Sequence, residues 1–160
     1  MQVASIKNPP IHIPVLKKEV LSFLDIKPDG IYVDGTCGLG GHSKVILKNL
    51  SSKGTLISID IDREALAICK SSLKSNFENF YIKKNSYSNF PVVLKEMGIN
   101  KVNGIILDLG LSSLQLDSKH RGFSYKSDCH LDMRFDQTNK LTAAKLINNS
   151  SQNELADIIF

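Results

Sequence analysis

Apolar positions along this chain fall into short dense runs separated by stretches of helical period. Ile31-Tyr32-Val33, Thr55-Leu56-Ile57-Ser58-Ile59, Phe80-Tyr81-Ile82 and Val102 to Leu107 are β-branched, aromatic or leucine-rich and of strand length. A strand buried on both faces has this near-continuous apolar pattern. Between the runs the period changes. Val15, Leu16, Val20, Phe23 and Leu24 share one face of a helix that Ile11-His12-Ile13-Pro14 opens, with Lys17, Lys18 and Glu19 turned away from it. Ser43 to Leu50 offers Val45, Ile46 and Leu50 to a sheet. Asp62 caps a helix through about Ser75 that carries Ala65, Leu66, Ile68, Cys69 and Leu73, and another helix lies around Val92 to Met97. Asn8-Pro9-Pro10 is an extended lead-in, and Pro28-Asp29-Gly30 and Ser51-Ser52-Lys53-Gly54 are turns.

Strand and helix alternate, which predicts right-handed crossovers and an α/β domain with a doubly wound parallel sheet. Ligands of such sheets sit beyond the carboxyl ends of the strands, where strand order reverses. Asp34, Asp60, Tyr87 and Asp108 all stand at or just after those ends. The fourth strand would leave an apolar edge exposed. Residues 109–136 show no clear period, and a loop of that length is more often functional than idle; it is read as a substrate loop within a single domain over residues 1–160. Helical sequence returns at Thr138 to Asn148 and from Ser151, but Ala156-Asp157-Ile158-Ile159-Phe160 has neither cap nor breaker. The pattern is that of a chain cut from something longer.

The first strand breaks into four glycines, Gly35, Gly38, Gly40 and Gly41, before helix resumes at Ser43. Glycine permits positive φ and close approach, and the free N–H groups of the next helix point into the same space. A carboxylate 22 residues beyond Gly38, Asp60, is spaced to accept hydrogen bonds from a ribose diol. An adenosine-containing cofactor follows. A nicotinamide cofactor typically requires a third glycine where this chain has Ser43, whereas S-adenosylmethionine has no phosphate and tolerates the looser Gly38-Leu39-Gly40-Gly41. The loop favours the methyl donor.

Composition adds bounds rather than chemistry. A chain of 160 residues, 42% hydrophobic, can build one real core. No apolar run nears the roughly 20 residues of a membrane span, and the polar start lacks the layout of a secretory signal, so a cytoplasmic location without membrane attachment is expected. Cys37, Cys69 and Cys129 have no paired spacing, which suggests neither disulfides nor a zinc site. The net charge of +4 permits an anionic partner, although scattered lysines serve equally to solvate a surface.

Specific motifs then carry a family resemblance. Asp34-Gly35-Thr36, the Gly38-x-Gly40-Gly41-His42-Ser43 loop, Leu107-Asp108-Leu109-Gly110-Leu111-Ser112-Ser113 with Gln115-Leu116-Asp117, Arg121-Gly122-Phe123-Ser124 and Leu131-Asp132-Met133-Arg134 closely resemble the RsmH (MraW) family. The match runs from about His12 to the last residue. Its members are S-adenosylmethionine-dependent methyltransferases of Rossmann-like fold that modify the N4 amine of a cytosine in the decoding region of small-subunit (16S) rRNA, so the resemblance implies rRNA or an assembling small ribosomal subunit as partner. It also implies cofactor contacts at Gly40, Gly41, His42, Asp60, Tyr87, Asp108 and Gln115. This chain has Leu114 where the family usually has Pro, and Tyr87 where it usually has Phe. It also contains neither the helical insertion nor the final part of the sheet that the family's members carry.

A cytosine amine is a poor nucleophile because its lone pair is delocalised into the ring, and a hydrogen-bond acceptor at Asp108 would polarise its N–H bond. In the long loop, Phe123 could stack on a splayed base while Arg121 and Arg134 hold phosphates. Alternatively, Phe123 and Met133 pack the loop onto the sheet and the arginines pair with Asp117, Asp132 or Asp136. Two other functions remain in view: a nicotinamide-dependent oxidoreductase, and a cofactor- or RNA-binding module without catalysis.

Overall fold

The structure, a computed structural model, describes residues 14–73 and 77–160. Among these, Ile31–Asp34 (β1), Thr55–Asp60 (β2), Phe80–Lys84 (β3) and Gly104–Ile106 (β4) form one wholly parallel sheet in the order β3-β2-β1-β4. The chain steps outward from β1 to β3 and then returns to the other side of β1. Strand order therefore reverses between β1 and β4, the place where an open α/β sheet leaves a crevice. In register, Val33 lies opposite Ile57 on one side and Ile105 on the other.

Successive strand residues face opposite ways, so near-continuous apolar runs fill two core layers at once. Tyr32, Leu56 and Phe80 join one layer, completed by Ile46 and Leu47 of helix α2 (Gly41–Leu47) and by Leu66, Cys69 and Leu73 of α3 (Arg63–Leu73). Val33, Ile57 and Ile59 join the other with Val93 and Leu94 of α4 (Phe90–Glu96). Asp62 caps α3, accepting from the N–H groups of Glu64 and Ala65.

Several boundaries differ from the sequence reading. Helix α1 spans Lys17–Leu24, because Leu16 before it takes a left-handed conformation (φ 50°). The expected opening at Ile11-His12-Ile13 and the Asn8-Pro9-Pro10 lead-in lie outside the described residues, as does the end of α3 near Ser75. Among the described residues the apolar face of α1 is largely uncovered: Phe23 is 89% exposed, Val15 and Leu16 are exposed too, and of the five Leu24 alone packs against the core there. Strand β4 is shorter than Val102 to Leu107, pairing among the described residues only with β1, and Ile105 and Leu107 are exposed along the expected apolar edge. The stretch 109–136 is not all loop, since it holds α5 (Ser113–Asp117) and a 3-10 turn at Lys119–Arg121. Thr142 caps α6 (Ala143–Asn149), later than the expected start at Thr138, and α7 spans Gln152–Ile159.

Helix α2 begins two residues before Ser43 because Gly40, at φ 86°, turns the chain into it. A Cβ at Gly40 would lie 2.6 Å from Cys69 Sγ and 2.8 Å from Leu73 Cδ1. The position combines left-handed backbone with contact against α3. Gly40→Ala should accordingly lower the unfolding free energy by about 1–3 kcal/mol through overpacking and backbone strain. Urea unfolding checks this, and an unchanged midpoint would show that loop and helix are not in close contact.

Candidate active site

At the carboxyl ends of β1, β2 and β4, over the reversal of strand order, lies a cavity of about 480 Å³. That volume is within the range of small-molecule sites. Its walls include Gly38, Gly41, His42, Asp60, Tyr87, Asp108 and Gln115, so one space gathers every cofactor residue implied by the resemblance except Gly40. Gly40 lies behind the loop against α3, where it sets the loop's conformation.

The 22-residue interval between Gly38 and Asp60 has a direct physical basis. Gly38 N–H donates to Asp60 Oδ2 at 2.7 Å, and Asp62 N–H donates to the other carboxylate oxygen at 2.9 Å. The strand-end carboxylate thus ties down the glycine loop while lining the cavity. Burial pushes the Asp60 carboxyl above its usual 3.8, against the pull of these backbone donors.

Asp34 is placed differently. It is buried beneath the loop, accepting from Ser43 Oγ at 2.6 Å and from Thr36 N–H at 3.2 Å, and Ser43 Oγ also lies 2.8 Å from Ser58 Oγ. It supports the loop and does not line the cavity. Ser43, at the place of a third glycine, is wholly buried with its hydroxyl in this network.

Asp108 follows β4. Its N–H donates to Thr36 Oγ1 at 2.7 Å, and its carboxylate Oδ2 lies 3.4 Å from Nε2 of the buried His42. The Asp108 side chain is 43% exposed, so one carboxylate both lies against an imidazole and stands open to a second molecule. Nδ1 of His42 is buried with no partner among the described residues.

Gln115 is positioned by the start of its own helix, with Leu114 before it. Ser112 Oγ accepts from Gln115 N–H, and Gln115 Oε1 accepts from Ser112 N–H at 2.9 Å, a reciprocal capping box that starts α5. Its Nε2 donates to Asp62 Oδ2 at 2.9 Å. The Ser-x-x-Gln spacing is the sequence signal for this short helix, which the reading of 109–136 as aperiodic passed over.

The long segment corrects the expectations for Arg121 and Met133 and, for Arg134, takes the alternative of pairing with Asp132. Arg121 does not hold phosphate at the surface: its side chain is 0% exposed, with Nη2 2.7 Å from Asp62 Oδ2 and Nη1 3.2 Å from Glu64 Oε2. Neither carboxylate is one of the three weighed for it. Arg134 forks onto Asp132, with Nε and Nη2 at 2.9 and 2.6 Å, and also donates to the carbonyls of Gln137 and Asn139. Its guanidinium holds the Asp132 carboxyl well below the usual range, so this arginine is engaged in closing its own loop. Met133 does not pack onto the sheet; it is 44% exposed, at φ 56°. Phe123 meets Phe135 edge to face, ring centroids 5.2 Å apart, and Phe135 lines the cavity. No pattern in the sequence marked Phe135.

A profile described as the MraW methylase family matches residues 10–160. A protein from Caldicellulosiruptor saccharolyticus named ribosomal RNA small subunit methyltransferase H is 53% identical over 92% of this chain and 48% of its own length. One of the same name from Lachnospira eligens is 51% identical over 92% and 47%. The chain spans about half the length of the curated relatives it matches. Among solved structures, a candidate rRNA methylase from Clostridium thermocellum superposes with a TM-score of 0.53 at 21% identity, over 64% of this chain and 56% of that one, which supports the Rossmann-like fold. Among the described residues no helix is long and apolar enough to cross a membrane.

Proposed function

The chain belongs to the MraW methylase family, and on that premise we propose that it is the amino-terminal part of an S-adenosylmethionine-dependent methyltransferase acting on the N4 amine of a cytosine in small-subunit rRNA. The observation that carries the reading is a single cavity, at the reversal of strand order, lined by two strand-end carboxylates, Asp60 and Asp108. The cavity suits the cofactor in size, in its acidic groups toward a diol and a cationic sulfonium, and in the apolar side chains Leu39 and Ile61 beside Tyr87. When bound, S-adenosylmethionine supplies an electrophilic methyl group. In this reading Gly41 and His42 face it from the loop, Asp60 accepts hydrogen bonds from the ribose hydroxyls, Tyr87 flanks the adenine, and Gln115 closes the wall near Asp62. Asp108 accepts a hydrogen bond from the target amine. The partner is rRNA, free or within an assembling small subunit, and the place of action is the cytoplasm.

Calorimetric titration of the full-length protein with S-adenosylmethionine and, separately, with NAD tests the reading. Binding of the methyl donor alone is expected, whereas binding of NAD alone would overturn it. Asp60→Ala should weaken S-adenosylmethionine binding by about 1–3 kcal/mol, the range for losing hydrogen bonds to a charged acceptor. Protonation removes that acceptor, and burial raises the Asp60 carboxyl. Wild-type binding should therefore weaken on acidification at a pH above the usual aspartate range. The variant should lack that acid limb, and an identical limb in both proteins would remove Asp60 from the ribose contact.

A further inference from the structure

Two buried thiols, one lining the cavity and one behind it, have no part in the proposed reaction. Cys37 belongs to the glycine loop and Cys69 to α3, and their sulfurs are 3.2 Å apart. Cys37 is held in place by its backbone: its N–H donates to Ile59 O at 3.0 Å, and its carbonyl accepts from Gly40 N–H at 2.8 Å. Gly40 rests directly on the Cys69 sulfur. Cys37 lines the cavity while Cys69 is wholly buried behind it. Cys37, although only 4% exposed, is among the residues that line the cavity, so a small solute approaches the pair from its side, and the two sulfurs are within about an ångström of bonding distance.

We infer that Cys37 and Cys69 form an oxidisable dithiol: a hydroperoxide entering the cavity oxidises Cys37, and Cys69 then closes an intramolecular disulfide that ties the glycine loop to α3. In the first step the Cys37 sulfur, having given up its proton, attacks one peroxide oxygen. The O–O bond breaks, Cys37 becomes a sulfenic acid, and with hydrogen peroxide the other oxygen leaves as hydroxide and takes the proton to become water. In the second step the Cys69 sulfur, also deprotonated, attacks the Cys37 sulfur. The S–S bond forms, the S–O bond breaks, and the hydroxyl departs with that proton as a second water. Two thiols and one hydrogen peroxide have become one disulfide and two waters.

The hydrogen bond with Cys69, burial and the neighbouring Asp34 all push the Cys37 thiol up. Thiolate is scarce at neutral pH, so the pair resists mild oxidants and reacts faster as pH rises. Cys129, the remaining cysteine, is more accessible and must be removed from the readout.

The test uses the full chain carrying Cys129→Ser, treated with hydrogen peroxide, unfolded in an alkylating agent and weighed intact. In the expected product Cys37 and Cys69 take up no alkyl group, their peptides appear as one joined pair two hydrogens lighter than the separate peptides, and both thiols return with dithiothreitol. Adding Cys69→Ala should stop oxidation at a Cys37 sulfenic acid that dimedone traps. If that variant does not fold, the peptide map of the Cys129→Ser chain decides alone. Recovery of both thiols unoxidised, or a sulfinic acid at Cys37 beside a free Cys69, would overturn the inference. Saturating S-adenosylmethionine should slow disulfide formation. That arm alone rests on the cofactor reading, so a disulfide that forms equally fast with the cofactor present counts against that reading and leaves the dithiol standing.

Discussion

Arg121→Ala is expected to lower the unfolding free energy by about 3–5 kcal/mol, the cost of removing one partner from a buried ion pair. The guanidinium is 0% exposed and Asp62 2%. Nη2 donates to Asp62 Oδ2 and to the carbonyls of Arg134 and Phe135, at 2.7, 3.1 and 3.0 Å. Truncation would leave Asp62 a buried carboxylate with Gln115 as its remaining side-chain donor, and two carbonyls without their donor. Such a loss is a large share of the roughly 5–15 kcal/mol that stabilises an ordinary domain. Arg121→Lys keeps a charge but not the fork, and should recover only part of the loss. Urea unfolding of the single variants and of Arg121→Ala with Asp62→Ala forms a double-mutant cycle. The double variant should cost well below the sum of the two singles, because the second truncation removes the charge that the first left unpaired. Additive costs would mean that the pair is not coupled.

The same arginine shows which parts of the molecule could be read in the sequence. Ile31-Tyr32-Val33 and Thr55 to Ile59 were legible as strands because burial on two faces leaves few polar positions. The Gly38–Asp60 spacing was legible as a ribose contact, but not as the direct hydrogen bond between loop and strand end that the structure has. Arg121 was misjudged because its partners lie 57 and 59 residues away, in α3 and at its cap, and an arginine in an aperiodic stretch has the composition of a phosphate contact. Met133 and Phe23 went astray for a related reason. An apolar residue announces a preference for burial, but it does not say whether a face is available to cover it within these residues. The capping box at Ser112 and Gln115 was present in the sequence; its function became visible only once Gln115 was seen to join Asp62. Asp62 thus links the cap of α3, the start of α5 and the Arg121 anchor, and places the long segment over the cavity.

Asp108→Ala should reduce methyl transfer by the full-length protein by about 10²–10³-fold, the usual loss when one group oriented toward developing charge is removed. Thr36 Oγ1 fixes the backbone of Asp108 from the loop side, and His42 Nε2 lies 3.4 Å from its carboxylate, leaving much of that carboxylate open. An acceptor so placed can draw on an amine N–H and return lone-pair density to a nitrogen that the ring has depleted. Its benefit grows as the amine gains positive charge in the transition state, so the loss should fall on the rate of the chemical step rather than on substrate affinity. Single-turnover rates with rRNA and calorimetric affinity for S-adenosylmethionine separate the alternatives. The expected result is a large fall in the first and a much smaller change in the second. Asp108→Asn keeps the size of the side chain but offers a neutral, weaker acceptor, and should recover little of the rate. A fall in rate matched by an equal loss of cofactor affinity would make Asp108 a cofactor contact alone, and the amine would need another acceptor within the same cavity.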